Sequence, residues 1–328
     1  MRAAVCPFYG PPEVVQVRAV PAPVLAPGQV RVDIRASAVN FPDVLLVAGE
    51  YQIKVAPPFV PGSECAGVVT EISSGVTDFM VGDRVTATGM YGTFAEQVCL
   101  SSAALAHIPD TIDDHTAAAS GVAYRTAHHA LRSTARLQAG DEVIVLGAGG
   151  GVGLAAVQLA TALGARVTAV ASSAEKLSTA RQYGAHAVVN HRAVDLRAAL
   201  RDAVPDGAHA VLDPVGGHLS EPALRALRRG GRFVTVGYAS GTIPRIPLNL
   251  VLVKGVVLLG FQFQDVPPDE FARNEAELAA LLTTGTVVPH VGAVYPLEQA
   301  AAALRHVADG RAVGKVIVQV AGTATSPW

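Results

Sequence analysis

The chain has 328 residues, half of them hydrophobic, and its 25 basic and 27 acidic residues leave a formal net charge of −2. That length exceeds one ordinary domain and is comfortable for two, each with enough apolar content to bury a core. Near-neutral charge without a basic block gives no reason to expect nucleic acid or an anionic membrane as partner, which leaves a small molecule.

Cys6, Cys65 and Cys99 are isolated and lack CxxC spacing, which fits a reducing compartment rather than a disulfide framework or structural zinc. The start, Met1-Arg2-Ala3-Ala4-Val5-Cys6-Pro7, has no long apolar core of the signal-peptide kind. No apolar stretch reaches membrane-spanning length uninterrupted, so a cytoplasmic protein is expected.

Residues 1–120 read as short strands separated by proline and glycine turns, an all-β region. From Val30 to Ser37 apolar and polar residues alternate at period two, as in a half-buried antiparallel strand. Residues 66–72, 84–87 and 94–100 continue the pattern. Near Thr116 the texture turns to alanine-rich helix through Leu131, and from Asp141 strands and helices alternate. Strands are predicted at 143–146, 167–170, 187–189, 210–212, 233–236 and 256–260, with helical patterns between most of them. The expected class is α/β, with a doubly wound parallel sheet of six strands. Helices at 270–282 and 297–309 and a strand at 315–320 follow. The domain plan is 1–120, 121–264 and a return to the first lobe over 265–328, with a polar end, 322–328, expected to fray.

The most informative stretch starts with the apolar run Glu142-Val143-Ile144-Val145-Leu146. It is broken by Gly147-Ala148-Gly149-Gly150-Gly151-Val152-Gly153 and continues at helical spacing through Val152, Ala155, Ala156, Leu159 and Leu163. A strand, a tight glycine turn and a helix in that order make a dinucleotide pyrophosphate site: the backbone can approach the phosphates, and the helix N-terminus offers free N–H groups and a positive dipole end. The literal GxGxxG is replaced by Ala148-x-Gly150-x-x-Gly153. NAD-preferring sites carry an acidic residue at the end of the second strand, where Ser172 and Ser173 stand here, followed by Lys176. Two hydroxyls and a lysine suit a 2′-phosphate, so NADP(H) is the expected coenzyme; the plain alternative is a serine capping the next helix and a solvated lysine.

Pro61-Gly62-Ser63-Glu64-Cys65-Ala66-Gly67-Val68-Val69, the turn Val81-Gly82-Asp83-Arg84-Val85, the glycine loop with its helix, and Gly314-Lys315-Val316-Ile317 together resemble the medium-chain dehydrogenase/reductase (MDR) superfamily, within it the zinc-free NADPH:quinone oxidoreductase branch. The resemblance spans essentially the whole chain. It implies a GroES-like β-barrel substrate domain built from both ends of the chain, a central Rossmann domain, an active-site cleft between them, and a homodimer. Zinc-dependent members have Gly-His-Glu where Gly62-Ser63-Glu64 stands, and their cysteine ligand falls near Asn40, so no metal is expected. The neighbouring His128 and His129 point different ways on a helix and make a poor metal pair.

The resemblance also implies catalytic roles for Asn40, Asp43 and Tyr51. Tyr51 matches a proposed proton donor, with an aromatic loop anchor as its plain alternative. Asn40 could bind cofactor or substrate, or only stabilise the turn before Pro42. Thr126 is implied near the nicotinamide carboxamide, and Gly237, Phe261, Phe263 and Lys315 at the nicotinamide end. At the adenine end the family often has a tyrosine where His191 stands; a histidine could still stack on adenine or approach the 2′-phosphate, as could Arg192. Arg125 stands where relatives have a small residue, and reads either as a group for the cleft or an anionic substrate, or as a surface charge. The expected activity is NADPH-dependent reduction of a quinone or of an α,β-unsaturated carbonyl or acyl thioester. A non-catalytic redox-sensing or RNA-binding protein is the alternative from another class, and the absence of a basic, aromatic-interleaved patch speaks against RNA.

Overall fold

A computed structural model describes residues 1–320, so the polar end at 322–328 lies outside the described residues. The chain divides into two compact units, one made of 1–122 with 289–320 and the other of 123–288. In chain order the first unit contributes β1 (Arg2–Val5), β2 (Gln16–Ala19), β3 (Gln29–Val39), α1 (Phe41–Ala48), β4 (Glu64–Ile72), β5 (Arg84–Thr88), β6 (Gln97–Ser101), β7 (Leu105–His107) and α2 (Asp114–Ser120). The boundary falls at the start of α3 (Val122–His129). The second unit then runs β8 (Glu142–Leu146), α4 (Gly151–Ala162), β9 (Arg166–Ala171), α5 (Ala174–Gln182), β10 (Ala187–Asn190), α6 (Leu196–Ala203), β11 (Ala208–Asp213), α7 (Ser220–Arg225), β12 (Leu227–Thr235), α8 (Leu248–Lys254), β13 (Val257–Gly260) and α9 (Pro268–Thr283). β14 (Val291–Pro296), α10 (Ala300–Ala308) and β15 (Lys315–Gln319) return to the first unit.

In the second unit six strands lie in the order β10-β9-β8-β11-β12-β13, every neighbouring pair parallel. The order turns back at β8, the position at which doubly wound sheets bind ligands. Alternate residues of the central strands feed two separate cores, as period-two geometry requires. Val143 and Val145, Val167 and Ala169, Ala210 and Leu212 join the core on one face. Ile144 and Leu146, Val170 and Val211 join the other. Both faces are covered, so these strands read as unbroken apolar runs.

The first unit holds a mixed seven-stranded sheet with the path β14-β15-β3-β4-β5-β7, and β6 also pairs with β3. The eleven-residue β3 organises it: β4 lies along one side, while β6 and then β15 share the other. The return of β15 therefore closes a sheet begun some 280 residues earlier, since Ile317 pairs with Ala38.

Three sequence expectations change. The return begins at 289 rather than 265, because α9 packs Leu278 into the core of the parallel-sheet unit. The region read as all-β contains α1; its start signal is Asn40 followed at the third helical position by Asp43, whose carboxylate accepts from the Asn40 N–H at 2.7 Å. Its residues 41–48 form an apolar run that periodicity cannot separate from a buried strand. The strand β14 has no counterpart among the predicted elements.

Gly153 tests the packing of α4 on β8, because a Cβ there would run into the Gly147 carbonyl and come within 2.9 Å of the Ala148 Cα. Replacing Gly153 by alanine is expected to destabilise the protein by about 1–3 kcal/mol. Thermal unfolding indistinguishable from the parent would mean that the turn is not rigid.

Candidate active site and cofactor site

Sheet register assembles the first cluster. β15, β3 and β4 are adjacent, with Val39 opposite Val316 and Ala38 opposite Glu64, so Asn40, Glu64 and Lys315 meet at one end of three strands. The Lys315 ammonium donates to Asn40 Oδ1 at 2.6 Å, to Glu64 Oε1 at 2.8 Å and to the Val39 carbonyl at 3.4 Å. Asn40 Nδ2 donates to Glu64 Oε1 at 2.8 Å and to Ser63 Oγ at 3.2 Å. Glu64 Oε2 accepts from the backbone N–H of Val122 at 2.7 Å. The Glu64 and Lys315 side chains are 0% and 3% exposed. A buried ion pair of this kind is held by its additional hydrogen bonds, and removing one partner typically costs about 3–5 kcal/mol.

Asp43 lies beside this pair, fully buried. Burial pushes its carboxyl up to about 7, with the Glu64 carboxylate adding to the rise and the Asn40 N–H and Lys315 opposing it. Of the sequence-predicted catalytic residues, the fold thus brings Asn40 and Asp43 together with Lys315. Tyr51 stands apart from these hydrogen bonds. It follows Gly49, the left-handed residue that ends α1, its N–H donates to Leu45 O at 3.1 Å, and its half-buried ring packs on the first unit's core. The Lys315 ammonium makes its three hydrogen bonds inside the first unit. Sequence reading singled out neither Ser63 nor Glu64 as functional. Their signal was a polar pair, Ser63-Glu64, opening an otherwise apolar strand.

The second site is the turn from β8 to α4. Gly147 has a φ of +63°, Gly150 caps α4, and no side chain bonds the first turn of that helix. The first N–H groups of a helix so capped are donors without intrahelical acceptors, the right chemistry for a pyrophosphate. A Cβ on Gly150 would find its nearest neighbour 3.5 Å away, so this position is open to a ligand. A Cβ on Gly149 would instead strike the aliphatic stem of Lys176, so that lysine lies directly on the glycine turn. Ala148 is buried and joins its turn to β9 through Val170 O at 3.0 Å; Gly151 and Val152 begin α4.

At the end of β9, Ser173 Oγ accepts from the Lys176 N–H at 3.3 Å, the capping role, while Ser172 is half-buried beside it. Burial and the nearby Arg192 lower the Lys176 pKa; burial, His218 and Arg192 lower that of His191. His191 and His218 rings lie 6.1 Å apart. An open cavity of about 610 Å³ includes His218 in its wall, with Arg197, Arg225 and Arg245. The same wall holds Asp195 and Glu221, and Glu221 pairs with Arg225 at 2.7 Å.

Other predicted residues of this unit cluster around α3. Thr126 follows Arg125, whose guanidinium pairs with Glu275 at 2.8 Å and lies over the Phe263 and Phe271 rings at 5.8 and 5.6 Å. Phe261 and Phe263 meet edge to face at 5.0 Å. Arg125 is therefore half-buried in an ion pair and is not a plain surface charge. Gly237 follows β12, its N–H directed at Asp213 O. Asp213, unnoticed in the sequence, is a buried carboxylate that accepts from the Val215 and Gly216 N–H groups and from Ser220 Oγ at 2.6 Å, shaping the turn after β11. His128 and His129 diverge as expected, with rings at 89°, but both are buried against α9, facing Glu277 and Glu275.

Two buried groups give opposite pH responses. Asp43 has a folded pKa of about 7 against an ordinary 3.8, so the stability it contributes is complete at low pH and lost as pH rises through 7. His128 is pushed down, chiefly by burial, to about 4 from 6.5; its contribution is present above 6.5 and lost as pH falls towards 4. In thermal unfolding followed from pH 4 to 8, Asp43→Asn should remove the loss of stability on the alkaline side and His128→Leu the loss on the acid side. Parallel curves for the parent and both variants would contradict this assignment.

The descriptions of two protein-family models match the chain: an alcohol dehydrogenase GroES-like domain over residues 26–110 and a zinc-binding dehydrogenase over residues 151–281. Quinone oxidoreductase-like protein 2 of Rattus norvegicus is 36% identical over 324 residues, covering 97% of this chain and 92% of that protein. Quinone oxidoreductase of Homo sapiens is 33% identical over 322 residues, covering 97% of each chain. Among solved structures, Escherichia coli quinone oxidoreductase complexed with NADPH superposes with a TM-score of 0.91 at 28% identity, covering 98% of this chain and all of that one. With its GroES-like and Rossmann folds matched end to end, the chain belongs to the medium-chain dehydrogenase/reductase superfamily, in its quinone oxidoreductase branch.

Proposed function

We propose that the protein is a zinc-independent, NADPH-dependent reductase that passes a hydride to a quinone. The observation that carries the coenzyme is the cationic group at the end of β9, Lys176 laid on the glycine turn with Arg192 and His191 nearby, where an NAD site would have a carboxylate. The E. coli relative of the same fold is an NADPH complex, and the names of the rat and human relatives support a quinone as acceptor.

In this reading the N–H groups of Gly151, Val152 and Gly153 hold the pyrophosphate, and Gly149 and Gly150 leave the backbone open to it. Ser172, Ser173 and Lys176 face the 2′-phosphate, and His191 the adenine. Thr126, Gly237, Phe261 and Phe263 border the nicotinamide, which when bound supplies the hydride. Asn40 and Asp43 are positioned by the buried Lys315–Glu64 pair, and Tyr51 or water gives the proton that completes reduction. Zinc independence is supported by the donor set: the oxygens of Asn40 and Glu64 are held by the Lys315 ammonium ion. Three free thiols suit the cytoplasm.

A homodimer is part of the proposal. β13 ends its sheet, and along that edge Leu248, Leu252 and Val253 are 72–81% exposed, with Val257 and Leu258 at 45% and 39%. An open apolar strand edge is suited to a second copy related by a twofold axis. Sedimentation should give a dimer for the parent and a monomer for Leu252→Glu; a parent that sediments as a monomer removes this part.

The coenzyme and acceptor are tested by following NADPH and NADH oxidation with a panel of quinones, alkenals and enoyl thioesters. Lys176→Ala should raise KM for NADPH about tenfold or more, the worth of one charge-assisted hydrogen bond, and leave KM for NADH nearly unchanged. Tyr51→Phe should lower kcat about 10²-fold if the phenol is the donor. A parent that binds NADPH and reduces no acceptor is not a reductase; one that reduces only enoyl thioesters belongs to another acceptor class.

A further inference from the structure

One polar side chain interrupts the apolar run Leu154-Ala155-Ala156-Val157-Gln158-Leu159-Ala160 of α4, and Gln158 is 5% exposed among neighbours that are all buried. An amide in that position is costly unless both of its ends are bonded. Its Nε2 donates to the Tyr124 hydroxyl at 2.8 Å, and its Oε1 accepts from the Val288 N–H at 3.0 Å. The Tyr124 hydroxyl in turn donates to the Val288 carbonyl at 3.4 Å, which closes a ring between residues 164 positions apart. Those two residues have a special place in the chain. The chain passes from one unit to the other twice, at Val122–Ala123 and at Val288–Pro289, so Gln158 holds the second unit's side of both crossings.

The first unit's side of each crossing is bonded to the buried ion pair. At the first, the Val122 N–H donates to Glu64 Oε2 at 2.7 Å, and a Cβ on Gly121 would lie 2.7 Å from the same oxygen. At the second, the Lys315 N–H donates to the His290 carbonyl at 2.8 Å, and a Cβ on Gly314 would run into that carbonyl. Glu64 and Lys315 bond each other and Asn40. Only the short spans from Val122 to Tyr124 and from Val288 to His290 separate the partners of Gln158 from those of the ion pair. Both spans are stiff: the first is a turn of α3, and the second contains Pro289, whose ring fixes φ. The helix whose N-terminus is the candidate pyrophosphate site is therefore the one to which both crossings are fastened.

We propose that Gln158 is a positioning residue for hydride transfer: by fastening both crossings to the coenzyme helix, it keeps the Asn40, Glu64 and Lys315 cluster in register with the bound coenzyme. The assignment rests on the reductase reading for its reaction and on the hydrogen-bonded ring for its geometry. Gln158 touches neither coenzyme nor acceptor and moves no proton; it acts through Tyr124 and Val288. Misplacing reacting groups by about 1 Å costs about 10²-fold in rate. Loosening the crossings should therefore lower kcat, while the glycine turn, which Gln158 does not contact, still binds NADPH.

Two measurements on the full chain test this, using Gln158→Leu, which removes both bonds at similar volume, and Tyr124→Phe, which removes the hydroxyl alone. The first needs no coenzyme: amide hydrogen exchange at Val122 and Lys315, whose N–H groups Gln158 does not touch. Both should exchange about tenfold faster in Gln158→Leu, and less so in Tyr124→Phe, with the amides of β3 and β8 unchanged. In the second, quinone-dependent NADPH oxidation, Gln158→Leu should lower kcat about tenfold or more with KM for NADPH unchanged. Thermal unfolding reports whether each variant is folded, and where Gln158→Leu is not, Tyr124→Phe decides by the same signs. A folded variant that exchanges like the parent at Val122 and Lys315, or one that exchanges faster and keeps the parent's kcat, overturns the assignment. Faster exchange at both amides in a chain that reduces no acceptor supports Gln158 as the fastening of the two crossings and overturns the reductase reading alone.

Discussion

An ammonium ion buried to 3% exposure demands partners, and the way Lys315 obtains them organises the first unit. Its three acceptors come from the end of β3, the residue after it, and the start of β4. They can be brought to it only if β15 lies against β3 in the observed register. Side chains separated by some 250 residues thereby share one desolvated pocket of charge. The strand return supplies the apolar driving force through Val316, Ile317 and Val318, all 1% exposed or less, and the ion pair lies where the returning strand begins.

The second unit obeys a different constraint, that of close backbone approach. Its parallel sheet is apolar on both faces and carries almost no chemistry in its strands; the chemistry sits in the turns that leave them. At β8 the glycines separate into roles. Gly147 takes the left-handed conformation, Gly153 lets α4 lie on the turn, Gly150 caps α4, and Gly149 makes room for Lys176. At β11 the same problem of ending a strand is solved by the buried Asp213, which gathers three donors. One turn leaves its donors free for a ligand and the other satisfies them internally. That difference separates a binding site from a structural one.

The two buried titratable groups illustrate how much burial alone can do. Asp43 and His128 are both driven towards their neutral forms, the acid upwards and the base downwards, and so give opposite pH dependences within one chain. Asp43 is also the acidic partner of the Asn40 cap, a role normally taken by an exposed, ionised side chain. Its burial beside Glu64 is the cost of placing a helix start inside a polar cluster.

The amino-acid sequence by itself determined the six-stranded parallel sheet, the glycine turn and the absence of an acidic residue after β9, because each is a local pattern: apolar runs, glycine at fixed offsets, residue type at a strand end. Asn40 and Asp43 were singled out through resemblance, and Lys176 through its place after the serines that end the second strand. The tertiary structure alone decided that α9 packs with the parallel sheet, that residues 41–48 are a helix rather than another strand, and that Arg125 is paired with Glu275 over two phenylalanine rings. It alone also decided that Lys315 turns inward to Glu64 and Asn40. Those outcomes depend on contacts across tens to hundreds of residues, where register and desolvation set the energies, and no periodicity within a window of the chain carries that information.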